Sequence, residues 1–401
     1  MNKVLVIIFF ALVFETTLAS SCPEVLKSSR EALVCIVKNH PELKVLETRA
    51  TEFEARKSLA SQLPNPELDA KTNLSGEKKV EIDLVQKLEL GGKRSARIEV
   101  AKSENETISA EDEITRVQIL TDSIEALARL HHLREQEQIL IETTSAIEKI
   151  TSVLKRKVAL PPDQKASLRL FTLYLGTIDF KKMELEKDIQ KVTKAIEFSI
   201  GRPIKASDKL GLAPLDKWPK FDVLNIENLL EIRLAKAQQK FAQAESSLAN
   251  SESWPDFKIG PSYEHESESK ETSWGIKAGV TIPLWNQNQG GRNLAQAKLN
   301  AKKLTTEAIK KRIQQDFEIL RASYHKVVQK LEKNLKSELI VNSIKESESS
   351  FSRGLIPPTS LIETYRSSME LVEQTHHAEL SAWQMWVRLQ YLTNSSSVEL
   401  P

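Results

Sequence analysis

The sequence contains few residues that interrupt regular structure, because its 401 residues include only 12 glycines and 15 prolines. Such sparse punctuation predicts a small number of long elements. The chain also has no excess of charge of one sign: 57 lysines and arginines oppose 55 aspartates and glutamates, interleaved along the chain. Nucleic acid is therefore not an expected partner. No grouping of residues resembles a catalytic centre or a cofactor site, so we expect neither an enzyme nor a cofactor.

Long apolar runs are equally scarce. The main run covers residues 4–14, directly after Lys3, and its roughly eleven residues are too few to span a hydrocarbon layer of about 30 Å. It has the length of a secretory signal core, and Thr17 and Ala19 supply the small residues of a cleavage site. The sequence therefore predicts a signal peptide at residues 1–19 and an exported mature protein.

Cysteine is nearly absent, since Cys22 and Cys35 are the only two. An even number in an exported chain favours a disulfide. The pair could form if residues 23–30 are not helical, because one continuous helix would hold the two residues about 20 Å apart. The alternative is lipid attachment at Cys22, because small residues occupy positions 19–21 before it. Both interpretations stay open at this point.

One sequence pattern occurs twice. The recurring landmarks are Gly91, Gly92, Lys93 and Arg94 with Gly290, Gly291 and Arg292, and Leu160, Pro161 and Pro162 with Ile356, Pro357 and Pro358. They recur about 196 to 199 residues apart, which is longer than the period of solenoid repeats. We therefore predict a first structural repeat at 20–200, a connection at 201–221, a second repeat at 222–394 and a C-terminal tail at 395–401.

Each repeat is predicted to contain a helix, a β-hairpin, a long helix and a returning helix. The first helix covers about residues 29–62, and the roughly 64 residues before Pro161 contain no breaker, which corresponds to one helix of about 95 Å. In the second repeat one helix covers about residues 225–250. A long helix follows the glycine pair and ends at about residue 353, and a returning helix follows the proline pair and ends at about residue 392. The apolar residues keep the three-four spacing of a left-handed coiled coil.

Alternation of polar and apolar residues predicts the two hairpins. Residues 67–84 alternate on both sides of a turn at 75–78, and residues 273–284 alternate over about eleven positions. The second stretch has the length of a membrane-spanning strand, with Trp274 and Trp285 at its ends. A soluble hairpin packed on a helix is the alternative, but the helices use their apolar seams on one another.

Four strands cannot form a closed membrane barrel, because open edges would leave backbone groups unpaired in hydrocarbon. Two chains would supply eight strands, whose interior is nearly filled by side chains, whereas three chains would supply twelve and enclose a conduit. The geometry therefore favours a homotrimer. The expected fold class is α+β: a long antiparallel α-helical coiled-coil barrel plus four β-strands per chain that contribute to a trimeric twelve-stranded transmembrane barrel.

Several short motifs carry a resemblance to a known family. They are Asn39-His40-Pro41-Glu42-Leu43, Pro64-Asn65-Pro66-Glu67-Leu68, Leu88-Glu89-Leu90-Gly91-Gly92-Lys93-Arg94, and Gly279-Val280-Thr281-Ile282-Pro283-Leu284 followed by residues 286–290. Because these motifs occur in this order within the duplicated pattern, the chain resembles the TolC family of outer membrane efflux proteins over nearly its whole mature length. The resemblance implies a homotrimer, with a barrel in the outer membrane continued by a helical barrel across the periplasm. The motif that ends in Lys93 and Arg94 looks most like the branch that serves heavy-metal cation efflux.

The resemblance also implies where partners bind. In the family the turns between long and returning helices face the inner membrane, form the closable entrance and contact a periplasmic adaptor, which works with an inner membrane pump. Carried over, these residues are Leu160, Pro161, Pro162 and Asp163 in the first turn, and Phe351, Arg353, Gly354, Leu355, Ile356, Pro357 and Pro358 in the second. Val158 stands where Gly354 stands in the second repeat. Because a β-branched residue tolerates a positive φ poorly, the two turns are expected to differ.

The glycine pairs with their basic residues lack the spacing of a phosphate loop, so we interpret them as junctions between a strand and a helix. The junction residues are Gly91, Gly92, Lys93 and Arg94, and Gly290, Gly291 and Arg292. Lys93 and Arg94 lie at the positive end of a helix, which is locally unfavourable. We therefore expect an anion nearby, either a lipid headgroup or a neighbouring glutamate.

Two pairs of adjacent histidines, at 131–132 and 376–377, suggest a metal site at first sight. Neighbours on a helix point about 100° apart and are poor joint ligands. We therefore expect these histidines to be structural or solvated, and we predict no metal ligand.

The resulting functional prediction is a passive outer membrane duct of a tripartite efflux system, in contact with outer membrane lipid and energised by its pump. It would export small molecules or metal cations from the periplasm or the pump to the exterior of a Gram-negative type of cell. One alternative is a duct for type I protein secretion. Another is a periplasmic coiled-coil scaffold that forms no channel.

Overall fold

A computed structural model describes residues 22–73, 79–156, 159–215, 217–221, 226–267, 269–333 and 337–393. The predicted signal peptide at 1–19, the turn at 75–78, the residue Val158 and the tail at 395–401 lie outside these ranges. Among the described residues, no helix combines the length and the apolar character needed to cross a membrane.

Eight helices and four strands make up the described chain. The first half contains α1 (Ser29–Asn39), α2 (Pro41–Ser61), β1 (Glu67–Thr72), β2 (Lys79–Glu89), α3 (Lys93–Lys155) and α4 (Pro162–Ile200). The second half contains a short 3-10 turn (Ile226–Asn228), α5 (Leu230–Ser251), β3 (Asp256–Glu266), β4 (Thr272–Val280), α6 (Gln289–Lys333), α7 (Ser337–Ser352) and α8 (Pro358–Thr393). The predicted combination of long helices with four strands is confirmed, and α3 alone has 63 residues.

Two predicted boundaries are wrong. A single helix was expected over 29–62, but the chain breaks between α1 and α2 at His40, whose ψ of 124° is not helical. The cause is Pro41, which disfavours a helical conformation of the residue before it and suits the first position of a new helix. The strand expected to reach Leu284 ends at Val280, because its partner β3 begins only at Asp256 and Pro283 has no amide hydrogen to donate.

The described residues fall into two compact units. One is drawn from Met1–Lys44, Arg116–Asn225 and Gln315–Pro401 and is called here the helical unit. Its core includes the fully buried aromatic side chains of Trp383, Trp386, Tyr324, Tyr365 and Phe171. The other unit is drawn from Val45–Thr115 and Ile226–Gln314 and is called here the sheet unit, because it contains all four strands.

The four strands form one antiparallel sheet in the order β1-β2-β3-β4. The register places Ala70 opposite Ile82, Ile82 opposite Tyr263, and Tyr263 opposite Trp274, so these four side chains share one face. Since side chains alternate along each strand, every other residue falls on the opposite face. The register therefore extends the alternation seen in the sequence to the whole sheet.

Candidate functional site

The sheet has one apolar face and one charged face. The apolar face carries Leu68, Ala70, Ile82, Leu84, Leu88, Phe257, Ile259, Tyr263, Trp274, Ile276, Ala278 and Val280. Trp274 and Ile276 are 77% and 79% exposed in the single chain, and Leu68 is 69% exposed. Most of this face is exposed in the described part of the chain, with Phe257 and Tyr263 partly buried, so it is available to an apolar environment.

Lysines and carboxylates on the opposite face pair across the strands. Lys277 on β4 forms ion pairs with Asp83 and, at 3.8 Å, with Glu81, both on β2. Three further lysines on this face are also paired: Lys79 with Glu264, Lys258 with Glu67, and Lys87 with Asp256. The pairs of Lys79 and Lys87 join the neighbouring strands β2 and β3, whereas those of Lys277 and Lys258 reach across one intervening strand. Such pairs stabilise a sheet modestly, and their charged groups need water or each other as partners. This face is suited to water and the other to lipid.

The junction from β2 to α3 uses both predicted glycines. Gly91 and Gly92 have φ angles of +69° and +73°, in the left-handed region that favours glycine. A Cβ atom on Gly91 would lie 2.3–2.5 Å from side-chain atoms of Trp254. The backbone turn and the packing of Trp254 therefore both require glycine at position 91.

The anion expected near the first junction is a protein carboxylate. Lys93 Nζ lies 2.5 Å from Asp256 Oδ1, while Arg94 Nε donates a hydrogen bond of 2.7 Å to the carbonyl oxygen of Ser61 at the end of α2. Arg97 makes a bidentate contact with Glu89 at 2.5 and 2.8 Å. The only sequence signal for these partners was the presence of cations at a positive helix end, which indicates a need for an anion but does not identify it.

The second junction differs from the prediction. Gly290 and Gly291 do not form the turn but lie in the first turn of α6, which begins at Gln289. The positive φ, +55°, belongs to Asn288, whose side-chain amide donates to Ala249 O at 2.9 Å and Glu252 Oε2 at 3.0 Å. Asparagine tolerates the left-handed region better than other non-glycine residues. Arg292 belongs to the same helical turn, because its amide donates to Asn288 O at 2.9 Å.

The turns between long and returning helices lie in the helical unit. In the second, α7 ends at Ser352, Gly354 has a φ of +74°, and the amide of Leu355 donates to Ser350 O at 2.9 Å before α8 begins at Pro358. Leu355 is 66% exposed. The proline pairs play equivalent parts, since Pro161 precedes α4 and Pro162 is its first residue. The ring of Phe351 meets the ring of Phe171 on α4 edge to face at 5.4 Å.

Cys22 and Cys35 form a disulfide, with their Cα atoms 5.4 Å apart. The geometry arises because α1 begins only at Ser29, so the preceding segment can fold back along the helix. A sulfur that is part of a disulfide is not available for attachment of a lipid, so the structure favours the disulfide of the two alternatives.

The adjacent histidines do not act as pairs. His132 and His376 are buried and meet each other, whereas His377 is exposed. Burial lowers the pKa of His131, which favours the neutral ring. The spacing of neighbours on one helix carries no information about the contact between α3 and α8, so the sequence did not predict it.

No family model matches the chain. The cobalt-zinc-cadmium resistance protein CzcC of Cupriavidus metallidurans is 25% identical over 286 residues, which cover 66% of this chain. The chain matches 64% of that relative's length.

Solved structures match over a greater length. CusC, described for its transmembrane channel formation, has a TM-score of 0.74 at 11% identity and covers 96% of this chain and 95% of its own. The open state of the MtrE outer membrane channel of Neisseria gonorrhoeae has a TM-score of 0.71 at 15% identity, over 92% and 90%. The resemblance predicted from the sequence motifs is therefore confirmed, and the chain has the fold that these outer membrane channels share.

Proposed function

We propose that this protein is the outer membrane channel of a tripartite efflux system, a passive trimeric duct through which solutes leave the cell envelope. The observation that carries the proposal is the sheet with one apolar and one charged face. An apolar face that the described chain leaves exposed across all four strands suits lipid, and a charged face suits a water-filled lumen.

The edges of the sheet support the trimer. β1 and β4 each pair with one neighbour within the described residues, so each has a free edge. Free edges are not stable in hydrocarbon, and further copies of the chain can pair with them. Three copies supply the twelve strands of a barrel wide enough to conduct solutes. The mature protein is accordingly assigned to the outer membrane of a Gram-negative type of envelope, with a large periplasmic portion.

The similar proteins support an efflux role and suggest its cargo. CusC and MtrE are described as channels, and CzcC as a resistance protein for cobalt, zinc and cadmium. We propose divalent metal cations as cargo, delivered by an inner membrane pump through a periplasmic adaptor. The adaptor would contact the turns at residues 160–163 and 351–359, where Leu355 offers an exposed apolar side chain.

Two neighbouring residues of β4 provide a test of the membrane face. Ile276 points to the apolar face and Gly275 to the charged face, and a Cβ atom at Gly275 would meet no atom within 4 Å in the single chain. A lysine facing lipid costs about 2–4 kcal/mol near the middle of the bilayer, whereas one facing the lumen costs far less. We expect Ile276→Lys to abolish recovery of trimers from outer membranes and Gly275→Lys to retain it.

The measurement is the mass of the detergent-extracted protein, together with conductance in a planar bilayer. The wild type and Gly275→Lys should be trimers that conduct. A wild-type protein that stays soluble and monomeric after membranes are pelleted, or equal trimer yields from the two variants, would overturn the proposal in favour of a scaffold without a channel.

A further inference from the structure

Two histidines from different helices meet inside the helical unit. His132 on α3 and His376 on α8 have parallel rings, with centroids 4.3 Å apart and an angle of 9° between the ring planes. Both residues are buried, with 4% and 7% of their surfaces exposed. The contact is therefore closed off from bulk solvent.

Two carboxylates accompany the histidines. Glu379 Oε2 on α8 lies 2.9 Å from His132 Nε2, and Glu135 Oε2 on α3 lies 2.9 Å from His376 Nε2. The amide of Gln136 lies 3.4 Å from His376 Nδ1. The cluster thus contains two imidazoles and two carboxylates, supplied equally by α3 and α8.

One nitrogen of the cluster has no hydrogen bond. The Glu379 oxygen is close to His132 Nε2 but lies outside the hydrogen-bonding direction, so this nitrogen has no partner among the described atoms. The side chain of His132 is 95% buried, given that 5% of it is exposed. A buried polar atom without a partner is costly, and a bound ligand would satisfy it.

We propose that His132, His376 and Glu379 form a binding site for a divalent cation such as Zn²⁺, which would join α3 to α8. Two imidazole nitrogens and one carboxylate oxygen are a ligand set that suits this ion, with a water molecule as the fourth ligand.

The spacing is compatible with closure around an ion. One ligand atom from each residue lies within 4.8 Å of the others. Bonds of about 2.0–2.1 Å in a tetrahedral site place ligands about 3.3 Å apart, so ligand atoms up to 4.8 Å apart must approach by up to about 1.5 Å. Parallel rings cannot both direct a nitrogen at one ion, so one imidazole must turn about its Cβ–Cγ bond on binding.

Glu135 is assigned a positioning role. Its contact with His376 Nε2 leaves Nδ1 of that ring as the nitrogen for the ion, which would displace the Gln136 amide 3.4 Å away. A carboxylate that holds the second nitrogen is a common arrangement for metal-binding histidines. The site lies between two helices of one chain and does not depend on the channel being open. The proposal therefore stands independently of the proposed transport function.

The test uses the full-length protein purified in detergent, stripped with a chelator and titrated with Zn²⁺ by calorimetry and with Co²⁺ by visible absorbance. The wild type should bind one ion per chain, with the absorbance of a tetrahedral cobalt site. His376→Gln and Glu379→Gln should weaken binding at least tenfold. The matched control is His377→Gln, because His377 is the next residue on α8 but is exposed.

Thermal unfolding provides a second readout that separates binding from misfolding. Zn²⁺ should raise the midpoint of the wild type and of His377→Gln, but not that of Glu379→Gln, whose melting without metal should match the wild type. The proposal is overturned if the wild type binds no ion at the site, if His377→Gln loses as much affinity as His376→Gln, or if Glu379→Gln binds as the wild type does.

Discussion

At the scale of single residues, Asp208 is a charged side chain buried within the helical unit. Its carboxylate is fully buried and accepts hydrogen bonds from the backbone amides of Leu26 and Lys205. Arg202 contacts both of its oxygens, at 2.9 and 3.1 Å. These bonds hold the segment that contains Cys22 against the connection after α4.

We expect Asp208→Asn to lower the free energy of unfolding of the helical unit by about 3 kcal/mol, because it leaves Arg202 without its buried counter-charge. The measurement is the thermal unfolding midpoint of the purified protein at pH 7. The matched control is Asp188→Asn, since Asp188 forms a partly exposed pair with Arg129 at 3.2 Å and should matter by less than about 1 kcal/mol. Equal shifts of the unfolding midpoint in the two variants would contradict the prediction that the buried pair with Arg202 matters more than the partly exposed pair with Arg129.

Asp208 should also make the stability of the helical unit depend on pH. The hydrogen bonds from Arg202, aided by those from Leu26 and Lys205, lower the pKa of Asp208 from 3.8 to about 2. Because the folded-state value lies below the unfolded one, its contribution of roughly 2 kcal/mol is complete above about pH 4 and is lost as the pH falls towards 2. Asp208→Asn should remove this part of the acid sensitivity.

At the scale of elements, the two glycine pairs look alike in the sequence but behave differently. Gly91 has a positive φ and is packed against Trp254, whereas a Cβ atom on Gly290 would meet nothing within 4 Å. We expect Gly91→Ala to destabilise the junction by about 1–2 kcal/mol from the backbone alone, with more from displacing Trp254. Gly290→Ala should be neutral or slightly stabilising, because alanine is the better helix former.

The measurement is the midpoint of thermal unfolding of the detergent-solubilised protein, with the two alanine variants compared side by side. Replacing Trp254 with alanine in the Gly91→Ala background should recover the packing part of the loss but not the backbone part. If Gly290→Ala lowered the midpoint as much as Gly91→Ala does, the inferred difference between the two junctions would be contradicted.

Periodicity explains why the elements could be predicted. The alternation around Ile82 and Trp274 and the unbroken run before Pro161 are local patterns, and local patterns determine strands and helices. Element ends were less predictable, as at His40 and Val280, because they depend on a following proline or on where a partner strand begins. The turn at Asn288 was missed because glycine is the usual residue for a positive φ, and two glycines stood nearby.

The candidate sites were harder to predict because they depend on which residues of distant elements meet. His132 and His376 are separated by 244 positions in the sequence and meet only because one face of α3 packs on one face of α8. Asp256 reaches Lys93 only once β3 is paired with β2. A single sequence indicates that Lys93 needs a negative partner, but the sheet register decides which carboxylate provides it.

At the scale of the whole molecule, the proposed export of divalent cations can be tested in cells. The proposed duct has no energy source of its own, so its loss should affect whatever the proposed pump delivers. We expect a strain that lacks this protein to become more sensitive to at least one of cobalt, zinc and cadmium, by roughly tenfold in the inhibitory concentration if no second duct serves the pump. Wild-type protein and Gly275→Lys should restore resistance, and Ile276→Lys should not, because only the last places a charge in lipid. The amounts of secreted protein, measured in the same cultures, distinguish the alternative: loss of secretion with unchanged cation resistance would identify a duct for proteins and contradict the cation cargo.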